Sequence, residues 1–244
     1  MGGDVIRKSE VFQFKQFSVD QSGCAMKINT DGVLLGAFVE ADQPENILDI
    51  GTGTGVIALM LAQRFANAMI NAVEIDQSAA KTAGRNLTNS PFAERLAVYP
   101  LGFEQFFDQH PDKKYDLIVS NPPFYINSLK SPRANKELAK HTDEDFFKNL
   151  INYISRHLAI DGLLYLILPL ETAELVKQLA KSNKLYIKRI IKIYSYKESA
   201  PHREVVVLSL DKTKVDDGQF IIYDAPKVYS KQYQGLLKDF FTIF

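Results

Sequence analysis

The chain has 244 residues, 46% of them hydrophobic and 24% charged, so it carries enough apolar material for a sizeable core and is neither a disordered polymer nor a fibre. Its 29 basic residues balance 29 acidic ones, which excludes a uniformly cationic coat for nucleic acid, and Cys24, the single cysteine, excludes an intrachain disulfide. The scattered His110, His141, His157 and His202 make no zinc pattern with Cys24, no apolar run reaches the roughly 20 residues of a membrane span, and the N-terminus lacks a signal-peptide pattern, so no metal and a cytoplasmic location are expected.

In chain order, Val11-Phe12-Gln13-Phe14-Lys15-Gln16-Phe17 alternates and predicts a half-buried strand, and Asp31 to Val39 predicts a short helix. From Asn46 onward, short apolar runs alternate with helical patterns, the signature of βα units and a mostly parallel sheet. The predicted strands are Asn46 to Ile50, Ile70 to Ile75, Leu96 to Tyr99, Asp116 to Ser120, Leu163 to Leu168, Tyr186 to Tyr194 and Glu204 to Leu210. The predicted helices are Val56 to Phe65, Ser78 to Asn86, Asp143 to His157 and Glu171 to Lys181, with no element assigned between the third and fourth strands. The last two strands are joined only by Ser195 to His202 and predict an antiparallel hairpin, unlike the six-stranded dinucleotide-binding plan. A further strand at Phe220 to Tyr223 and a helix at Ser230 to Phe241 end the chain. No repeat or long linker interrupts this order, so one domain is expected, with residues 1–45 and 213–244 as extensions of a 46–212 core.

Asp49-Ile50-Gly51-Thr52-Gly53-Thr54-Gly55 lies between a predicted strand and a helix, where glycines let the backbone turn tightly and approach a ligand. Nineteen positions beyond Gly55, Glu74 ends the second predicted strand, placed to accept the two hydroxyls of a ribose, while Asp76 reads as a helix cap. The spacing is Gly-x-Gly-x-Gly rather than the Gly-x-Gly-x-x-Gly of dinucleotide sites, and no P-loop sequence is present. Behind the fourth strand stands Asn121-Pro122-Pro123-Phe124. The Asn oxygen and a Pro carbonyl can accept the hydrogens of a flat amine and orient its nitrogen, the prolines hold φ near −65°, and Phe124 can stack on a ring. A stiff strand-ending turn with a core phenylalanine accounts for the same four residues without a ligand.

Taken together, Asp49 to Gly55, Val73-Glu74-Ile75-Asp76 and Asn121-Pro122-Pro123-Phe124, at the ends of the first, second and fourth strands, resemble the amino-methyltransferase branch of the class I fold. Lys27-Ile28-Asn29-Thr30-Asp31-Gly32-Val33-Leu34-Leu35-Gly36-Ala37 and Asn89-Ser90-Pro91-Phe92-Ala93-Glu94-Arg95-Leu96 are similar to stretches of the bacterial tRNA1(Val) adenine-37 N6-methyltransferases, as is the tail around Ile222-Tyr223-Asp224 and Tyr229-Ser230. The resemblance implies an α/β Rossmann-like class I methyltransferase fold with a seven-stranded, mostly parallel sheet, one antiparallel strand and helices on both faces. It implies S-adenosyl-L-methionine as cofactor, held by Thr30, Asp31, Asp49, Gly51, Thr52, Gly53, Gly55, Glu74, Ile75, Gly102, Phe103 and Asn121, with Asn121, Pro122, Pro123 and Phe124 at the reacting amine. Relatives often carry an Asp after the third strand, whereas Pro100-Leu101-Gly102-Phe103-Glu104 has none, so the Gly102 backbone and the Phe103 ring are expected to substitute.

The implied partner is tRNA, and two basic stretches are candidates for its phosphates: Lys130, Arg133, Lys136 and Lys140 behind the proline motif, and the segment from Lys177 to Arg203. A surface connection accounts for the first stretch without RNA, and a solvated helix-strand face for the second. A release-factor type of protein glutamine N5-methyltransferase would use the same acceptors but usually carries a longer helical N-terminal domain, a DNA adenine methyltransferase would want a target-recognition domain, and a non-catalytic RNA-binding protein would not need Asp49, Glu74 and Asn121 intact.

Overall fold

The computed structural model describes residues 10–122 and 133–244, and of 133–143 the backbone alone. A hairpin (β1, Val11–Gln13; β2, Ser18–Asp20) and helix α1 (Thr30–Phe38) precede β3 (Asn46–Ile50), α2 (Val56–Arg64), β4 (Met69–Val73), α3 (Gln77–Thr88) and β5 (Leu96–Tyr99). Helix α4 (Phe103–Gln109), β6 (Tyr115–Ser120), α5 (Arg133–His157), β7 (Leu158–Leu168), α6 (Leu170–Ser182), β8 (Tyr186–Tyr194) and β9 (Pro201–Ser209) follow. The chain closes with β10 (Asp216–Ile221), a small hairpin (β11, Tyr223–Ala225; β12, Val228–Tyr229) and α7 (Lys231–Leu237).

The main sheet runs β10-β8-β9-β7-β6-β3-β4-β5, parallel throughout except that β9 is antiparallel to both its neighbours. The seven expected strands and the single antiparallel one are present, and an eighth joins them. Strand β10 pairs parallel with β8 from Asp216 opposite Arg189 to Ile221 opposite Tyr194. It begins earlier than Phe220 because partnership with β8 carries Asp216, Asp217 and Gly218, all poor strand formers alone, into the ladder.

Alternation along the strands divides the core between the two faces of the sheet. Ile47, Ile70, Leu117 and Val119 face the layer of α1, α2 and α7, whereas Leu48, Ile50, Val73 and Ile118 face α4, α5 and α6. Helix α2 is buried along Val56 to Ala62, and α1 lies so close to it that a Cβ on Gly36 would sit 3.0 Å from Met60 Sδ. Helix α4 occupies the stretch left unassigned by the sequence: Phe103, Phe106 and Phe107, spaced as one helical face, are all buried.

The N-terminal run does not form one half-buried strand. The chain turns after Gln13, with Phe14 N–H donating to Phe17 O at 2.9 Å, so that the two buried rings stack at 4.5 Å while Val11 and Phe12 face solvent. Burial of two aromatic rings on the same core outweighs the alternation. The C-terminal tail closes over this hairpin through a bridge between Phe14 and Phe241 and through Lys15 N–H to Phe240 O at 2.8 Å.

Candidate active site at the carboxyl edge of the sheet

Strand β3 is paired on one side with β4 and on the other with β6, and the sheet order reverses between β3 and β6. In parallel α/β sheets, loops leaving the strand ends at such a point part and open a crevice. The glycine loop follows β3, Glu74 follows β4 and Asn121 follows β6, so three motifs far apart in sequence meet at one edge.

The loop after β3 is fixed by its own hydrogen bonds. Gly51, Gly53 and Gly55 all have positive φ, at 73°, 57° and 83°, a region that L side chains enter at a cost. The Gly51 and Thr52 amides donate to Val73 O at 2.8 and 3.1 Å, and Gly53 N–H donates to Glu74 Oε2 at 2.8 Å. A Cβ on Gly51 or Gly53 would meet nothing within 4 Å, so the loop borders open space, whereas one on Gly55 would press Leu87 at 3.2 Å. Glu74 also accepts from Asp76 N–H at 2.9 Å, and Asp76 in turn caps α3 by accepting from Ala79 N–H at 2.8 Å. Nine-tenths buried, the Glu74 carboxylate braces the loop with lone pairs left over for hydroxyl donors.

Asp49 lies beneath this loop, wholly buried, and its Oδ2 accepts from the Thr52 hydroxyl at 2.6 Å. Its Oδ1 has no hydrogen-bond partner among the described residues. Burial pushes the Asp49 carboxyl up to about 7, the Thr52 hydroxyl and the Ala58 amide at the start of α2 pull it back, and the Glu74 charge adds to the rise. Asp49 and Thr52 therefore shape the loop from below.

Across the crevice, Ser120 Oγ donates to Ile50 O at 2.7 Å and ties the end of β6 to the end of β3. Asn121 follows, half-buried, with its Oδ1 shielded from solvent and without a hydrogen-bond partner among the described residues. Its Nδ2 faces the first turn of α1: a Cβ on Gly32 would lie 3.6 Å from Asn121 Nδ2 and 3.5 Å from Asn29 Oδ1. Asn29 caps α1 by accepting from Gly32 N–H at 2.9 Å, which sets Thr30 and Asp31 at the start of that helix beside the crevice. Asp31 Oδ2 accepts from Arg203 Nε at 2.7 Å, so its carboxylate is already paired with β9. Pro122 is buried, and Pro123 and Phe124 lie outside the described residues.

At the far wall, Ile75 is 74% exposed, and its Cδ1 would lie 3.5 Å from a Cβ on Gly102. Phe103, expected to stack on the cofactor, instead packs edge-on against Phe146 and Tyr153 at 5.7 and 6.0 Å, because it starts the buried face of α4. The exposed apolar platform next to Gly102 is Ile75.

Known proteins are similar to this chain over most of its length. The Methyltransferase small domain model matches residues 24–183. A tRNA1(Val) (adenine(37)-N6)-methyltransferase of Pedobacter heparinus is 47% identical over 233 residues, covering 96% of this chain and 98% of that protein. The chain belongs to this family. Proteins of the same name from Flavobacterium psychrophilum and Pasteurella multocida are 40% and 39% identical, each aligned over at least 95% of this chain and 99% of its own length. Among solved structures, a predicted O-methyltransferase from Agrobacterium tumefaciens has a TM-score of 0.66 at 18% identity, covering 86% of this chain and 96% of that one. The ribosomal protein L11 methylase of Lactobacillus delbrueckii subsp. bulgaricus has a TM-score of 0.52 at 19% identity, over 73% of this chain and 76% of that one. These two share the class I methyltransferase fold.

The basic stretches are placed less simply. Lys130 lies outside the described residues, and Arg133, Lys136 and Lys140 fall where only the backbone of α5 is described. Along the second stretch, Lys177 pairs with Glu174 and Glu204, each at 3.1 Å, and Arg189 with Glu40 and Asp216, each at 2.9 Å. Lys188 and Lys192 remain exposed on β8. Sequence reading missed three supports of the site. Ser120 had no signal beyond its strand end, and the Asp31–Arg203 pair joins residues 172 apart. Asn86 was legible as a polar residue on the apolar face of a helix: it is buried and its Nδ2 donates to Thr54 O at 2.8 Å, bracing the glycine loop.

Proposed function

We propose that this protein transfers a methyl group from S-adenosylmethionine to N6 of an unpaired adenine in tRNA, with adenine 37 of tRNA1(Val), the nucleotide in its relatives' name, as the target. The observation that carries the reading is the Asn121 Oδ1, a buried acceptor without a partner among the described residues, at the reactive edge of a methyltransferase fold. Shielding an acceptor from water costs about 1–3 kcal/mol unless a donor meets it, and a flat amine can be that donor. The residues present fit the cofactor. Open space lies over Gly51 and Gly53, Glu74 offers acceptors for ribose hydroxyls, and Ile75 offers an apolar face to an adenine ring. When bound there, S-adenosylmethionine supplies a sulfonium-activated, electrophilic methyl group.

The chain's own contribution is to hold and orient. Asn121 Oδ1 and the Pro122 carbonyl accept the N6 hydrogens, which turns the nitrogen lone pair out of the ring plane and toward the glycine loop. No strong general base is required, because the nitrogen becomes far more acidic once methylated and its proton can leave to water. The target base must be out of its stack, as an adenine paired in a helix hides N6. A tRNA substrate goes with a cytoplasmic location, and among the described residues no helix is long and apolar enough to cross a membrane.

Incubating the protein with labelled S-adenosylmethionine and unmodified tRNA, followed by nucleoside analysis, tests the reading. Label in N6-methyladenosine is expected. Label recovered in protein glutamine, or in no acceptor, would overturn it.

A further inference from the structure

A cleft of about 360 Å3 opens between the N-terminal hairpin, the first turn of α1 and the C-terminal tail, within the size range of small-molecule sites. Of its lining residues, Asn29 and Thr30 alone belong to the methyl-transfer site described above. Its walls combine rings with side-chain amide and hydroxyl groups: Phe12, Tyr229 and Phe241 on one hand, Gln13, Asn29 and Thr242 on the other. That mixture suits a flat heteroaromatic ligand with hydrogen-bonding edges, since rings stack on either face of a base while amides and hydroxyls reach its rim.

One wall of the cleft lies near the acceptor side of the active site. Asn29 and Thr30 line it, and Asn29 Oδ1 and Asn121 Nδ2 both approach the same point at Gly32, within 3.5 and 3.6 Å. Lys27, next in sequence to the lining residue Ile28, is exposed and approaches Glu10 at 3.9 Å, and Lys231, two residues beyond Tyr229, is exposed as well. A cleft lined by rings, with exposed lysines a residue or two away in the chain and with Asn29 close to the residue assigned to one base, suits the next base of the same strand.

We infer that this cleft receives an unpaired nucleobase flanking the target adenine, stacked against Phe12 and its neighbouring rings; the inference rests on the tRNA reading above. It makes the hairpin and tail a specificity element, selecting a loop whose adjacent base can also turn out.

The test is steady-state methylation of an anticodon stem-loop RNA and of the same RNA made abasic at each nucleotide flanking the target. The enzymes compared are the wild type, Phe12→Ala and Thr242→Glu, both exposed positions. Each variant is expected to raise KM for the intact RNA about tenfold, with kcat and the KM for S-adenosylmethionine unchanged. One abasic RNA should show the same loss with the wild type and no further loss with either variant, because the interaction is already absent. Unchanged KM in the variants, or losses that multiply, would overturn the cleft assignment while leaving methylation intact. Failure of the wild type to methylate any of these RNAs would overturn the tRNA reading itself. Should either variant melt early, Ile243→Glu, at a side-chain position 68% exposed, replaces it with the same expected outcomes.

Discussion

The turns after β3 and β6 lie side by side, joined by the Ser120 hydroxyl, yet they are built in opposite ways. In the loop after β3 the backbone is held by Val73 O, Glu74 and Asn86, and Thr52 donates to Asp49 Oδ2, while Asp49 Oδ1 lies sealed beneath the loop without a partner among the described residues. The turn after β6 carries Asn121, whose shielded Oδ1 has no partner among the described residues. The cofactor side thus has its backbone fixed from within, and the amine side presents an acceptor with no partner among the described residues. Reactions gain most from groups fixed in advance around charge or hydrogens that appear only with the substrate, which is what this division provides.

The largest effect expected concerns the closed side. With its carboxyl raised from 3.8 to about 7 by burial, Asp49 keeps its proton in the folded chain over a range where the unfolded chain has lost it. Stability therefore should fall as pH rises from about 4 to 7, by something on the order of 4 kcal/mol from this group. Urea denaturation across that range should show the decline in the wild type and a flatter profile in Asp49→Asn; parallel profiles would mean the carboxyl is not so enclosed.

Next comes the open side. Asn121→Ala should slow methyl transfer by at least tenfold, and about a hundredfold if its oxygen acts like other preorganised polar groups, while S-adenosylmethionine binding by calorimetry stays within a few-fold. Equal losses in binding and turnover would erase the contrast between the turns. Glu74→Gln replaces one acceptor with a donor facing Gly53 or Asp76, so cofactor Kd should weaken about tenfold with kcat at saturation little changed. Smallest is Arg203→Gln, which removes a partly exposed ion pair with Asp31 and should cost no more than about 1 kcal/mol in urea denaturation. A large loss of turnover there would move the first turn of α1 into the acceptor half.

Much of this was legible in sequence, and the reasons for the remainder are physical. Strands β3, β5 and β8 begin and end where the sequence predicted, since apolar runs are bounded there by turn and cap residues. Gly51, Gly53 and Gly55 announced the positive-φ loop because few other residues tolerate it. Helix α4 spans only Phe103–Gln109, so its three-residue apolar face is too short to stand out in sequence, and Gly102 gives it no side-chain cap. Strand β10 depends on a partner, β8, that local pattern does not reveal. Phe103 was expected to face the cofactor, yet its place in α4 directs it inward, leaving Ile75 exposed. Glu74 was read as a ligand for ribose, and its bracing of Gly53 shows only in three dimensions.

Because β3 is hydrogen-bonded to β4 on one flank and to β6 on the other, the order of synthesis governs when this centre can exist. A chain leaving the ribosome completes the glycine loop and Glu74 well before β6 has been made, and until Ser120 arrives β3 has an open edge, the kind of surface to which other chains add. Chaperone demand should thus be highest while residues between Val73 and Ser120 are emerging, and activity should appear in a ribosome-release series only after β6 has docked.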